Sequence, residues 1–261
     1  MKVSVCLATY NGEKYIYDQL ISILKQINKN DEVIISDDGS TDSTLDIVRS
    51  ISDDRIKVYN SCSTLKVVDY ETRLSRIYLN FKNAILKSSG DVIFLSDQDD
   101  IWLDDKYSYV MNQFLDNTVG LVVHDAFTTL SDNSRYNLFL SFFPTKNICS
   151  ILKNNPYMGC CMAFRRDIAI RSFANNRIAI PHDTWIALVA CHKFKSKYSI
   201  KILNDPLIFY RRHDDNCSFF NKSENTFCFK IKYRIKLLWD GACHVHEQFS
   251  VEKILELKKQ Y

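Results

Sequence analysis

Between Val92 and Trp102 the chain reads VIFLSDQDDIW, an apolar run that ends in Asp97, Asp99 and Asp100. Like charges this close raise one another's proton affinity and call for a counter-ion or a shared proton. Asp97 and Asp99 stand two apart, so in a turning segment their oxygens converge on one hard cation. Magnesium and manganese take carboxylate, water and phosphate ligands. Two carboxylates leave most of that shell open for a diphosphate, whose charge the cation offsets as the phosphate departs. The competing use is structural, since Asp100 and Asp104 also suit the start of the helix that follows.

Two further polar clusters end apolar runs: TYNGE at residues 9–13 and SDDGST at residues 36–41. The elements that carry them follow from periodicity. Short apolar runs at 2–9, 32–36, 55–59 and 92–95 read as buried strands. Between them, helical spacing of Ile16, Leu20, Ile23 and Ile27, then of residues 45–50 and 70–87, predicts helices. Later helices are expected at 104–115 and 182–191, and strands at 121–123, 157–164 and 198–211. Alternating strands and helices predict an α/β fold with a mostly parallel central sheet flanked by helices. In such sheets ligands bind beyond the carboxyl ends of the strands, and all three clusters lie there. The first turn has only Gly12, so neither a G-x-G-x-x-G fingerprint nor a P-loop is present. Carboxylates and a metal must take over the role of a glycine-rich anion cradle.

With 261 residues, 46% of them hydrophobic, the chain suits one large domain with a small appendage. The net charge of +3 gives no reason to expect nucleic acid as a partner. Nine cysteines without paired short spacing fit a reducing cytoplasm. No apolar run reaches eighteen residues, and the N-terminus turns polar too early for a signal peptide.

Four segments, VSVCLATYNGEKYIYDQLISIL, EVIISDDGSTDST, GDVIFLSDQDDIW and YRRHDDNCS, resemble the family 2 glycosyltransferases of GT-A fold. DQDDIW is especially similar to bacterial members that build rhamnose-containing and other surface polysaccharides. The resemblance covers roughly residues 2–218. It implies a domain at 1–218, with 1–100 mainly nucleotide-binding and 101–218 mainly acceptor-binding and catalytic. It implies that Thr9, Tyr10, Glu13, Asp37, Asp38, Asp97, Gln98, Arg211 and Arg212 contact the nucleotide sugar. Asp99 and His213 would hold Mn2+ or Mg2+, and Asp183 in PHDTW would be the general base. His182 stands where the family usually has an acid. Gly159, Trp185 and His182 fall on the acceptor side. The implied reaction is an inverting, metal-dependent transfer of a hexose or deoxyhexose from a UDP- or dTDP-linked donor to a saccharide acceptor, expected to be lipid-linked. His124 and Asp125, which follow a strand, are further candidates to line the cleft.

Residues 219–261 form a basic, aromatic extension expected to be helical. In FCFKIKYRIKLLW, basic residues alternate with apolar ones, a composition suited to an anionic membrane surface. The alternative is a helix packed on the domain with its lysines extended into water. The inner face of the cell membrane is then the expected location, and residues 250–259 offer apolar positions for a homodimer contact. Two other functions are weighed. A nucleotidylyltransferase would need a glycine- and arginine-rich first loop, which LATYNGEKY lacks. A non-catalytic binding protein would have no use for Asp97, Asp99 and Asp183 together.

Overall fold

The computed structural model describes residues 1–213, apart from 62–64, 69, 131–133, 148–149, 152–154, 175–180, 193 and 195, together with residue 235. The expected helical extension at 219–261 lies outside the described residues, Ile235 excepted.

Nine strands form one sheet: β1 (Val3–Thr9), β2 (Glu32–Asp37), β3 (Ile56–Asn60), β4 (Val92–Ser96), β5 (Ile101–Trp102), β6 (Val119–Thr129), β7 (Arg135–Asn137), β8 (Met162–Arg165) and β9 (Ser199–Phe209). Their order is β3-β2-β1-β4-β8-β6-β9-β5, with β7 added on β6. Among the described residues, six α-helices with assigned bounds accompany them: α1 (Ile16–Leu24), α2 (Thr44–Ser50), α3 (Tyr70–Lys87), α4 (Lys106–Gln113), α5 (Arg166–Phe173) and α6 (His182–His192).

The first four strands are parallel, and every residue of β2 and β4 is buried. That is why they read as unbroken apolar runs rather than alternating ones. The register sets Thr9 beside Asp37 and Leu7 beside Ser96, so the polar clusters leave the sheet along one edge. α1 buries Ile16, Gln19, Leu20 and Ile23, one helical stripe. Gln19 is the polar member of that stripe. Its Nε2 donates to Ser96 Oγ (2.6 Å) and to the Asp97 carbonyl (3.0 Å), which ties α1 to the tip of β4.

Beyond β4 the sheet is mixed. β8 runs antiparallel to β4 and β6, while β9 runs parallel to β6. The two-residue strand β5 has no counterpart among the expected elements. It pairs antiparallel with the end of β9, Ile101 opposite Phe209 and Trp102 opposite Ile208. The sheet therefore curls, and Trp102 packs its ring 5.4 Å from that of Phe94 on β4. This pairing brings residues just before β5 opposite residues just after β9. Among the described residues, no helix is long and apolar enough to cross a membrane.

Candidate active site

The loop after β1 and the loop after β4 are joined by one side chain. Gln98 Oε1 accepts from the Thr9 hydroxyl (2.6 Å) and the Tyr10 N–H (2.9 Å), and its Nε2 donates to the Tyr10 carbonyl (3.2 Å). The amide lies so close to the chain that a Cβ on residue 12 would stand 2.4 Å from Oε1. Gly12 thus leaves room for the Gln98 amide to lie against the β1 loop.

The loops after β1 and β2 are laced together in the same way. Asn11, with φ of 47°, accepts the Thr41 N–H at 2.8 Å and donates its own N–H to Ser40 Oγ at 2.9 Å. Glu13 accepts the Ser43 N–H (3.0 Å), one of the open donors at the start of α2. Asp37 accepts the N–H groups of Gly39 (3.0 Å) and Ser40 (2.9 Å) and is buried. Glu13 and Asp37, both expected to touch the nucleotide, each accept backbone N–H groups that order these two loops. Asp38 projects differently. It forms an ion pair of 2.6 Å with Arg76 on α3, whose guanidinium lies 5.3 Å from the centre of the exposed Tyr10 ring. Burial raises the Asp38 pKa even though Arg76 opposes the shift.

At the tip of β4 the four residues of DQDD diverge. Asp99 Oδ2 lies 2.8 Å from His213 Nε2, and both side chains are largely buried. The β5–β9 pairing explains this meeting of residues 114 positions apart. The His213 ring stacks on Tyr15, centroids 4.5 Å apart. Arg211 lies over the other part of the same Tyr15, 5.3 Å away, and reaches Asp18 at 3.2 Å with Nη1. Its Nε and Nη2 are buried without a hydrogen-bond partner among the described residues. Two buried, unmet guanidinium donors beside an acid–histidine pair suit an anion that lies across them. Arg212 is exposed.

Asp97 turns inward. Burial, then the charges of Asp99 and Asp183, raise its pKa to about 7. The influence of Asp183 shows that the start of α6 faces the acidic loop. Asp183 Oδ1 accepts the Thr184 N–H (2.6 Å) and Asn155 Nδ2 (3.2 Å), so it serves the helix start while lining the cleft. Asp100 is fully buried, neither of its oxygens has a partner of good geometry, and burial drives its pKa well above the usual range. It does not cap α4, whose cap residue is Asp105.

On the expected acceptor side, His182 stacks on Phe81, centroids 4.2 Å apart. Burial lowers its pKa, and its Nε2 would lie 2.6 Å from a Cβ at residue 159. Gly159 is thus needed for the histidine to fit. Trp185 is a packing residue: it is 7% exposed and donates its indole N–H to the Ser172 carbonyl at 2.7 Å. His124 and Asp125 are likewise buried, and Asp125 accepts the backbone N–H groups of Ala126 (2.7 Å) and Phe139 (2.9 Å).

Sequence reasoning missed Gln19, Arg76, Tyr15 and Lys106. Arg76 and Gln19 sit mid-helix with no local motif around them. Tyr15 lies within a segment used for the resemblance but carries no role in it. Lys106 had one signal, a basic residue closing the otherwise acidic stretch DDIWLDDK.

The family model for glycosyl transferase family 2 matches residues 4–173. A dTDP-rhamnosyl transferase of Shigella flexneri, RfbG, is 27% identical over 246 residues, which cover 87% of this chain and 77% of the relative. An Escherichia coli UDP-Glc:alpha-D-GlcNAc-diphosphoundecaprenol beta-1,3-glucosyltransferase, WfgD, is 29% identical over 60% of this chain and 57% of its own length. Among solved structures, Staphylococcus aureus TarS 1–349 in complex with UDP-GlcNAc superposes with a TM-score of 0.62 at 18% identity, covering all of this chain and 71% of that one. A second structure of TarS 1–349 gives 0.58 at 21% identity over 80% of this chain, which spans 60% of that one. A Mycobacterium tuberculosis glucosyl-3-phosphoglycerate synthase holding Mn2+ and UDP gives 0.53 at 20% identity, covering 81% and 71%. These structural likenesses speak to the fold. With the family model spanning well over half of its residues, the chain belongs to glycosyl transferase family 2, and its fold is that of the GT-A glycosyltransferases.

Proposed function

We propose that this chain moves a hexose or deoxyhexose from a UDP- or dTDP-linked donor to a hydroxyl of a growing, lipid-linked bacterial surface saccharide, with inversion at the anomeric carbon and with Mn2+ or Mg2+. One observation carries the reading: an acid–histidine pair of 2.8 Å, two unmet buried Arg211 donors, and Asp183 on the facing wall all converge on the acidic tip of β4.

The residues fit a hard divalent ion. Asp99 and His213 offer an oxygen and a nitrogen together. Asp99 and His213 would hold the ion, which when bound offsets negative charge on the donor's diphosphate. Arg211 donates to the phosphate oxygens through Nε and Nη2, and exposed Arg212 closes from outside. Tyr10 with Asp38 and Arg76 frames the base side, and Thr9 is held in place by Gln98. Asp183 takes the proton of the acceptor hydroxyl as general base. Asp183 is the one acid assigned to the acceptor wall. A single base without a second carboxylate as nucleophile implies direct displacement, unlike the two-carboxylate scheme of retaining hydrolases.

Residues 1–100 then serve mainly the nucleotide and 101–218 the acceptor and catalysis. The acceptor in the name of the E. coli relative WfgD, alpha-D-GlcNAc-diphosphoundecaprenol, supports a lipid-linked acceptor here. The basic, aromatic extension at 219–261 meets the inner face of the membrane where such an acceptor resides, and the end of that extension offers a homodimer contact.

The test is a panel of UDP- and dTDP-sugars with a diphosphoundecaprenol-linked acceptor, with Mn2+, with Mg2+ and with chelator. Transfer with inverted anomeric configuration, read by NMR, and its loss in chelator are the expected results. Retained configuration, or full activity in chelator, refutes the reading.

A further inference from the structure

Behind the acidic loop lies a group the proposed reaction does not use. One oxygen each of Asp97 and Asp100 and the sulfur of Cys160 all lie within 4.8 Å of one another. The arrangement resembles a metal cage, yet a buried thiol is a poor ligand for Mg2+ or Mn2+. A positive charge is already present. Lys106, 1% exposed on the first turn of α4, lies near enough for its charge to bear on both acids. A buried ammonium without compensation costs several kcal/mol, so its contacts explain why it persists. Its Nζ donates to the Cys160 carbonyl at 2.9 Å and stands 4.3 Å above the Trp102 ring.

Those contacts join two sides of the cleft. Trp102 lies on β5, directly after the acidic loop. Cys160 lies in the short helical turn Gly159–Cys161, and Gly159 abuts His182, next to Asp183. Lys106 thus bridges Trp102, directly after the acidic loop, and the Cys160 turn, which abuts His182 beside the proposed base.

We infer that Lys106 is a positioning residue: it is the resident cation of the inner acids, leaving the outer pair Asp99–His213 for the divalent ion, and its hydrogen bond to Cys160 holds the acceptor wall in register with the donor loop. The inference rests on the proposed function above. A neutral side chain at 106 raises the negative potential at the outer pair, so divalent ions bind it more tightly. It also frees the Cys160 turn, so the activated donor reacts with water more often than with acceptor.

The test uses the full chain and four variants: Lys106→Met, Lys106→Arg, Asp100→Asn, and the first and third combined. Mn2+ alone is the probe, titrated by calorimetry and by electron paramagnetic resonance. Transfer and donor hydrolysis are measured in parallel, with melting temperature as the control. Lys106→Met should bind Mn2+ roughly three- to tenfold more tightly, Asp100→Asn no more tightly than wild type, and the double variant no more tightly than Lys106→Met. The transfer-to-hydrolysis ratio should fall at least about tenfold in Lys106→Met, with donor KM little changed. Lys106→Arg restores the charge and hence the Mn2+ affinity, but not the ratio. Unchanged affinity and ratio in Lys106→Met, or a uniform loss of both that follows its melting temperature, overturns the inference. A wild-type protein that binds no Mn2+ refutes instead the metal in the proposed function, and the ratio still tests Lys106.

Discussion

Two buried acids sit at opposite ends of the same parallel strands and meet opposite treatment. Glu32 opens β2 at the amino edge of the sheet. It accepts from Ser4 Oγ (2.7 Å), from the Ser89 N–H (2.6 Å) and hydroxyl (2.8 Å), and from Lys57 Nζ (2.8 Å). Burial alone would raise its pKa, but these donors outweigh burial and lower it to about 2. Asp100 lies at the carboxyl edge, equally buried and without a well-placed donor, and its pKa goes the other way. Its neighbour Asp97 follows it, to about 7. The sheet thus has a finished end and an unfinished one. Where acids are fully met they add stability; where they are crowded and unmet, the structure carries strain that a cation or a ligand relieves.

This contrast can be broken from the functional end first. Asp183→Asn is expected to lower transfer by roughly 10²–10⁴-fold, the usual range for a lost general base, while nucleotide affinity is retained. Single-turnover transfer and UDP titration check the two halves. Arg211→Met removes the unmet donors and should raise donor KM by about 30- to 100-fold, as befits charge-assisted bonds of ~2–3 kcal/mol. Its melting temperature should change little, because the partners it loses are the exposed carboxylate of Asp18 and the ring of Tyr15.

At the finished end the ordering reverses. Glu32→Gln should cost about 2–3 kcal/mol of folding stability and leave kcat unchanged. The pKa of Glu32 is depressed, so its contribution is fully present above the unfolded value of 4.5 and is lost as pH falls towards 2. Denaturant titrations of both proteins should therefore converge on acidification. Asp97→Asn is the mirror case. The raised pKa of Asp97 means that the wild type is penalised progressively as pH rises from about 4 to about 7 in chelator. The variant should gain ~1–2 kcal/mol at pH 8 and little at pH 4. A gain of equal size at both pH values would show that the acid is not strained.

The first half of the molecule was legible because its physics is local. Buried parallel strands carry unbroken apolar runs, and α3 was predicted at 70–87 and found there. Asp99 and His213, far apart in sequence, stand 2.8 Å apart. What escaped depended on partners far along the chain. β5 is two residues long, too short for any periodicity, and exists only because β9 pairs with it. Glu13 and Asp37 have the residue type of ligands but the bonds of braces, which only the meeting of two loops reveals. Trp185 stands two residues from Asp183, yet the helix turns it into the core.

That two-residue strand also has a bearing on biosynthesis. Its partner, the end of β9, leaves the ribosome only after everything between residues 102 and 208 has been made. Until then the acidic tip of β4 has neither its histidine nor its arginine opposite. A nascent chain halted before residue 209 has β1 to β4 complete and still lacks the strand end that sets Arg211 and His213 opposite them.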